Sequence, residues 1–303
     1  MTSQTVKLIC PTTNQRLDKL LAASIPNLSR TQARRLIETG QVSAAGLDLK
    51  PNTMLAPGVE ITVILPEPET VELVAQNIPL DILFEDAHLV ALNKPTGLVV
   101  HPAAGHKQET LVNALLNRYP DLAGLHPSRP GIVHRLDKET SGVMVVGRTQ
   151  AALENLQAQL KSRQVEKIYL ALTHGRLKTQ TGLIDVPLGR HPQHRQRRAA
   201  LPEGKPARTH FQVLETFNNH SLLQLRLETG RTHQIRVHLA WLGHPVVGDS
   251  LYGRKREGIP IARQFLHANR LAVDHPHSGQ RLTFAAPIPS DLAVLLELLR
   301  QSS

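Results

Sequence analysis

The pattern of hydrophobic residues in the first 65 positions predicts two short helices followed by a small sheet. Apolar residues recur at helical spacing before Pro26, which ends the first helix. Ser29 and Gln32 form a capping-box pair that predicts the start of a second helix, and Gly40 ends that helix. The apolar run 59–65 predicts a strand. We therefore expect a small α/β unit in this part of the chain.

The remainder of the chain predicts strands that alternate with helices. Residues 66–70 read Pro-Glu-Pro-Glu-Thr, a stiff and acidic segment typical of a connector between domains. We therefore expect an α+β protein with domains at 14–70 and 71–303. The predicted strands lie at 81–84, 89–92, 131–133, 143–146, 166–172, 211–217, 222–227, 265–273 and 282–285, and the predicted helices lie at 110–119, after Thr149, from Thr232 to Gly243 and at 291–300.

A polar loop at 134–142, between two of these apolar runs, contains Asp137. Arg135 lies two residues before this aspartate and Lys138 directly follows it. Opposite charges nearby favour the ionised carboxylate, and an anion on a rigid support suits a nucleophile or a base better than a general acid. A surface loop with a local ion pair is the alternative interpretation of these residues.

The charge balance of the chain indicates an anionic partner. The 303 residues have a net charge of +10, and nucleic acid is the commonest partner of so basic a chain. The single cysteine, Cys10, excludes an internal disulfide and a cysteine-based zinc site. Neither an apolar run of about 18 residues nor a signal-peptide pattern occurs, so we expect a cytoplasmic protein that does not enter membranes. We also expect a monomer.

The loop sequence at 134–142, His-Arg-Leu-Asp-Lys-Glu-Thr-Ser-Gly, resembles the signature HRLDxxTSG of the RluA-type pseudouridine synthases. The resemblance covers about 80–290. No phosphate-binding loop or further kinase motif accompanies the signature, so phosphotransfer is not expected. The other matching motifs are NKPTGLVVHP at 93–102, KIY at 167–169, ETGRTHQIR at 228–236 and HPVVGDSLYG at 244–253.

This resemblance implies roles for particular side chains. Asp137 would be the catalytic carboxylate, Tyr169 would face the active site, and Arg236 would pair with the aspartate. The implied RNA contacts within these motifs are Arg135, which would enter the space left by a flipped uridine, together with Arg231 and His233.

The implied reaction breaks the glycosidic bond of uridine, turns the base and joins C5 to the sugar. Nothing is oxidised and nothing leaves, so we expect neither a cofactor nor a metal. The reaction needs an ionised carboxylate beside the sugar, and a buried carboxylate needs a partner such as Arg236. Tyr169 can stack on the loose base or help to remove the C5 proton. Attack on a carbon and abstraction of a sugar proton are both compatible with Asp137.

A second resemblance covers about residues 14–65. The segments RLDKLL at 16–21, SRTQARRLI at 29–37 and GQV at 40–42 are similar to the S4 RNA-binding domain. An S4 domain would contact the phosphate backbone of RNA. A solvated amphipathic helix in a small α+β domain is the alternative. The candidate RNA contacts are Ser29, Arg30, Gln32, Arg34 and Arg35.

An S4-like domain followed by a synthase-like domain resembles the ribosomal large-subunit branch of this family. The resemblance implies a catalytic domain built on a mixed, mainly antiparallel sheet with flanking helices. We expect large-subunit ribosomal RNA as the substrate, with transfer RNA as the enzymatic alternative. A catalytically idle RNA-binding or ribosome-assembly protein is the alternative from a different class.

The basic segment 189–198, GRHPQHRQRR, predicts a loop that either contacts RNA or is simply solvated. His191 and His194 have the spacing of a metal-ligand pair, but no partner ligands lie nearby in the sequence, so no metal site is expected.

Overall fold

The computed structural model describes the chain in eight stretches and divides it into two units, Met1–Thr70 and Val71–Ser303. Each unit has its own hydrophobic core. Of the predicted connector 66–70, only Pro66 lies within the described residues. The described residues are 4–11, 15–26, 28–44, 46–66, 73–102, 108–194, 196–253 and 259–302.

The first unit packs two helices against a three-stranded antiparallel sheet. The strands follow the order β1–β3–β2, with both outer strands paired to β3. The elements are β1 (Gln4–Ile9), α1 (Leu17–Ser24), α2 (Arg30–Glu38), β2 (Val42–Ala44) and β3 (Glu60–Leu65).

The local sequence explains where α2 begins and ends. The Ser29 side chain accepts a hydrogen bond from the Gln32 backbone amide, and the Gln32 side chain accepts one from the Ser29 amide. Gly40 has a φ of 72°, the left-handed conformation that ends helices at low cost for glycine. Ala33 is buried on the core side of this helix, whereas Arg34 is exposed on its outer side.

The second unit contains the larger sheet. Its helices are α3 (Leu111–Arg118), α4 (Gln150–Lys161), α5 (Gln234–Trp241) and α6 (Ser290–Gln301). Its strands are β4 (Asp81–Glu85), β5 (Leu89–Lys94), β6 (Ser141–Gly147), β7 (Glu166–His174), β8 (Thr181–Asp185), β9 (Leu188–Arg190), β10 (Arg198–Ala200), β11 (Arg208–Thr216), β12 (His220–Leu227), β13 (Leu266–Asp274) and β14 (Arg281–Ala285).

Nine of these strands form one sheet in the order β4–β5–β6–β13–β7–β12–β11–β8, with β14 also paired to β13. The β6–β13 pairing is parallel and the others described are antiparallel. The predicted α+β fold with a mixed, mainly antiparallel sheet is therefore confirmed. β6 is buried along its whole length, so its N-terminal end delivers the preceding loop to the middle of the sheet.

Three local predictions differ from the structure. The apolar run at 131–133 makes only an isolated bridge between Ile132 and Val146, not a strand. Segment 189–198 is not a plain loop, because its ends form the two-stranded hairpin β9–β10. α5 begins after His233 in the left-handed conformation, with a φ of 58°, so Thr232 is not its cap. Among the described helices, none is long and apolar enough to cross a membrane.

Candidate active site

The loop that carries Asp137 is held in place by a buried lysine that binds backbone carbonyl groups. Lys94, at the end of β5, is fully buried, and its ammonium group donates to the carbonyl oxygens of Pro95, Leu98 and Lys138. Burial lowers the pKa of Lys94 to about 7. The Lys138 carbonyl belongs to the same loop, so Lys94 restrains the residue next to Asp137.

A glycine lets this loop enter the sheet. Gly142 has a φ of 119°, and a Cβ at this position would lie 2.2 Å from the carbonyl oxygen of Ala268 on β13. Any side chain here would therefore push β6 away from β13. The loop that carries Asp137 thus ends where two central strands pair closely side by side.

Arg236, near the start of α5, connects Asp137 to a second carboxylate. Its Nη1 donates to Asp137 Oδ2 at 3.1 Å, while its Nε and Nη2 donate to the two oxygens of Asp249 at 2.7 and 2.8 Å. The Tyr252 ring lies against the guanidinium, with its centroid 5.1 Å from the guanidinium carbon. Arg236 is therefore held on several sides, which fixes the direction of its contact with Asp137.

The two carboxylates differ in exposure. The Asp249 side chain is completely buried and also accepts the backbone amides of Leu251 and Tyr252, whereas 17% of the Asp137 side chain is exposed. Burial alone would raise the pKa of Asp249, but the hydrogen bonds and charge of Arg236 outweigh it and hold that pKa below its usual value. Asp249 thus anchors the arginine, and Asp137 is the carboxylate that reaches the pocket.

His233 lies on the other side of Asp137. Its Nε2 is 3.8 Å from Asp137 Oδ1, and its Nδ1 is 2.8 Å from the Tyr252 hydroxyl. The same hydroxyl accepts the backbone amide of Arg198 on β10. Burial lowers the pKa of His233, so the ring is neutral at neutral pH.

Tyr169 lines the same pocket from β7. Its side chain is 9% exposed, and burial together with the nearby negative charge of Asp137 raises the pKa of its hydroxyl. The phenol therefore keeps its proton at physiological pH. Leu227 and Leu266 add apolar surface beside it. A flat base placed here would contact an aromatic ring and aliphatic side chains, with a carboxylate at their edge.

The structure brings all six predicted site residues of the second unit together. Asp137, Tyr169 and Arg236 line one pocket, and the implied RNA contacts Arg135, Arg231 and His233 line it as well. Within the described residues, no three His, Cys, Asp or Glu side chains converge in a way that could hold a metal ion.

The predicted contacts of the first unit lie on the outer side of α2. Arg30 forms an ion pair with the buried Asp18 at 2.9 Å, and Arg34 forms one with Glu38 at 3.6 Å. Ser29 and Gln32 are exposed but hydrogen-bond each other as the helix cap, and Arg35 is exposed.

Sequence reasoning assigned no role to Lys94, Asp249 or Tyr252. All three lie in segments that carry the family resemblance, which was the only signal available. Their contacts depend on chain segments that meet only in the folded protein.

Comparison with known proteins identifies the class of this chain. A family model described as RNA pseudouridylate synthase matches residues 88–241, and an S4 domain model matches residues 15–61. The chain therefore belongs to the RNA pseudouridine synthases and carries an S4 domain, which confirms both predicted resemblances.

Individual relatives agree with this class. The chain is 44% identical over 299 residues to "Ribosomal large subunit pseudouridine synthase D" of Pseudomonas aeruginosa, covering 95% of this chain and 92% of that relative. It is 50% identical over 296 residues to an RNA pseudouridine synthase of Chloroflexus aurantiacus, covering 97% and 93%. The solved structure of human RNA Pseudouridylate Synthase Domain Containing 4 is 27% identical, with a TM-score of 0.58 over 73% of this chain and 93% of that one. The chain is an RNA pseudouridine synthase, an isomerase, as predicted.

Proposed function

We propose that this chain converts uridine in large-subunit ribosomal RNA to pseudouridine, with Asp137 as the catalytic carboxylate. The observation that carries the proposal is the arrangement around Arg236, which donates to Asp137 while a buried carboxylate anchors its other edge. Relatives 43–47% identical to the chain are named ribosomal large subunit pseudouridine synthase D, which supports this choice of RNA.

Asp137 would act at the sugar. Because Arg236 engages Oδ2, Oδ1 would be the oxygen left to react. It would either attack the sugar carbon as the bond to N1 breaks, forming an ester bond that breaks again when C5 joins that carbon, or take a proton from the sugar and return it once C5 has joined. In both routes the released base turns, C5 joins the sugar, C5 loses its proton and N1 gains one. Atoms and electrons balance without a redox partner.

Tyr169 would hold the base while it is detached. Its ring lies beside the apolar side chains of the pocket, and its hydroxyl keeps its proton because the pKa is raised. We therefore assign the ring a stacking role and the hydroxyl a hydrogen-bond donor role.

The two domains would divide the work. Residues 14–70 would bind the phosphate backbone through the outer side of α2, where Arg30, Arg34 and Arg35 are exposed. Residues 71–303 would bind the target nucleotide and carry out the chemistry, with Arg135 filling the space left by the flipped uridine. We further propose that the protein works in the cytoplasm as a monomer and needs no cofactor.

The test is pseudouridine mapping of total RNA from cells with and without the gene. We expect one or a few large-subunit positions to lose pseudouridine and to regain it when the wild-type gene is restored. Loss confined to transfer RNA would replace the proposed substrate, and no loss in any RNA would contradict the proposal.

A further inference from the structure

The hairpin β9–β10 places two arginines directly opposite each other. In its antiparallel register Arg190 pairs with Arg198, and both side chains line one pocket. Like charges in opposite positions destabilise a sheet. Among the ion pairs of the described residues, none includes either arginine. The fold itself therefore gives no reason for this pair.

Two further cations complete the pocket, which has a volume of about 380 Å³. Lys205 comes from a segment bridged to β9 by reciprocal backbone hydrogen bonds with Leu188, both 2.9 Å long. Arg231 comes from the turn before α5, and its Nε donates to the Pro206 carbonyl oxygen at 3.1 Å. Glu203 is the acidic side chain of the lining, so four cations face one carboxylate.

Several other arginines of the second unit differ from this pair. Each of them has a carboxylate of its own within 4.0 Å. These pairs are Arg208 with Asp185, Arg270 with Glu166, Arg281 with Asp274, and Arg300 with Glu215. The pocket beside β9–β10 differs from these sites because it groups four cations with a single carboxylate.

The basic pocket adjoins the catalytic pocket. Arg231 lines both of them. The hairpin also contacts the catalytic pocket indirectly. The backbone amide of Arg198 donates to the Tyr252 hydroxyl, and this hydroxyl contacts His233, which lines that pocket. A strand of RNA whose target nucleotide lies against Asp137 would therefore pass its neighbouring backbone close to these cations.

We propose that the pocket formed by Arg190, Arg198, Lys205 and Arg231 binds a backbone phosphate of the RNA next to the target uridine. This inference rests on the proposed function for the position of the target nucleotide. Arginine forks match the geometry of phosphate oxygens, and a bound phosphate relieves the repulsion between the opposed arginines. Contacts of this kind set position and affinity and carry no base preference.

The first test removes the cations and measures RNA binding at several salt concentrations. The variant Arg190→Ala/Arg198→Ala/Lys205→Ala leaves the Arg198 backbone amide in place and omits Arg231, which also lines the catalytic pocket. The matched control is Arg270→Ala/Arg281→Ala/Arg300→Ala, which loses the same charge from partnered positions. The probe is large-subunit ribosomal RNA transcribed in vitro, and circular dichroism checks that both variants are folded.

We expect the hairpin variant to bind at least about tenfold more weakly than wild type. Its plot of log affinity against log salt should be shallower by about one unit for each lost phosphate contact. The control variant should stay within about twofold in affinity, with an unchanged slope. Equal slopes for wild type and the hairpin variant would overturn the proposal, and so would an equal loss in both variants.

The second test locates the phosphate. A short synthetic RNA containing the target uridine is made with single neutral methylphosphonates on either side of it. One of them should weaken binding by wild type and have no further effect on the hairpin variant, because the interaction is already lost. Fully additive losses at every position would contradict a contact beside the target.

The two proposals fail in different ways. If the wild-type chain makes no pseudouridine in large-subunit RNA, the proposed substrate is wrong, whatever the hairpin binds. The salt titration still decides whether the pocket binds phosphate, because phosphate contacts are independent of base sequence.

Discussion

Arg236 and the arginines of the β9–β10 hairpin carry the same charge but differ in their partners. Arg236 is buried, and Asp137 and Asp249 between them take hydrogen bonds from three of its nitrogens. Arg190 and Arg198 face each other at a pocket shared with two more cations. A buried charge whose hydrogen bonds are taken by protein carboxylates holds those groups in place. A charge left without a protein partner is available to a ligand.

The largest effect on the reaction rate should come from Asp137, the more exposed of the two carboxylates that contact Arg236. Asp137→Asn should lower the single-turnover rate at least about a thousandfold, the scale expected when a reacting carboxylate is lost. RNA affinity should stay within about twofold or rise slightly, because the amide removes a negative charge near the RNA. A variant that binds RNA normally and turns over at close to the wild-type rate would contradict the role of Asp137.

Loss of the buried carboxylate Asp249 should lower the free energy of unfolding. Asp249→Ala leaves the buried Arg236 without its two-point partner, a loss that typically costs about 3–5 kcal/mol. Arg281→Ala, at an exposed pair, should change stability by less than about 1 kcal/mol. Denaturant unfolding of the purified proteins measures both. Similar small losses in the two variants would show that Asp249 does not anchor the arginine.

The Tyr169 ring should contribute less to the reaction rate than the Asp137 carboxylate. Tyr169→Leu should still bind RNA but lose about 1–3 kcal/mol of stacking on the flipped base, which appears as a slower single-turnover rate. Tyr169→Phe keeps the ring and should retain more activity than the leucine variant. A phenylalanine variant as slow as the leucine variant would move the role from the ring to the hydroxyl.

Tyr169 also gives a prediction for pH. Because the pKa of its hydroxyl is raised above the ordinary value of 10.0, the phenol is protonated at every pH below that value. The single-turnover rate should therefore show no rise attributable to this group between about pH 7 and 9. A rise in wild type that disappears in Tyr169→Phe would show that a phenolate takes part.

Removal of the first unit should weaken RNA binding and leave the chemistry in place. A chain that begins at Val71 should fold, because the second unit has its own core, and should still isomerise uridine at high enzyme concentration. It should bind RNA about tenfold more weakly and with a shallower salt dependence. Equal salt slopes for the full chain and the shortened chain would show that residues 14–70 do not bind the RNA backbone. A shortened chain that folds but is inactive would show that these residues help to build the active site.

Helices and strands were predicted best where a short stretch of sequence determines them. The capping box at Ser29 and the left-handed Gly40 are determined by a few neighbouring residues, so the sequence placed α2 correctly. The run at 131–133 is apolar enough to suggest a strand, but among the described residues it makes a single isolated bridge, to Val146. The hairpin β9–β10 was missed because its strands are short, the segment 190–198 is polar, and the Tyr252 hydroxyl that contacts it lies 54 residues away from Arg198.

The site was predicted unevenly for the same physical reason. Asp137, Tyr169 and Arg236 were named because they lie in motifs that resemble a family, and the structure places them in one pocket. Asp249 was given no role, because only burial makes a second carboxylate necessary beside Arg236. The like-charge pair of Arg190 and Arg198 depends on strand register, which a polar segment does not reveal.

The most direct test of the account uses purified protein and RNA transcribed in vitro. Wild-type chain and Asp137→Asn are each incubated with large-subunit ribosomal RNA and, separately, with transfer RNA, and pseudouridine is mapped at single-nucleotide resolution. We predict near-stoichiometric pseudouridine at one or a few large-subunit positions with wild type, and none there with the asparagine variant. Equal conversion by both proteins, or conversion of transfer RNA alone, would contradict the account.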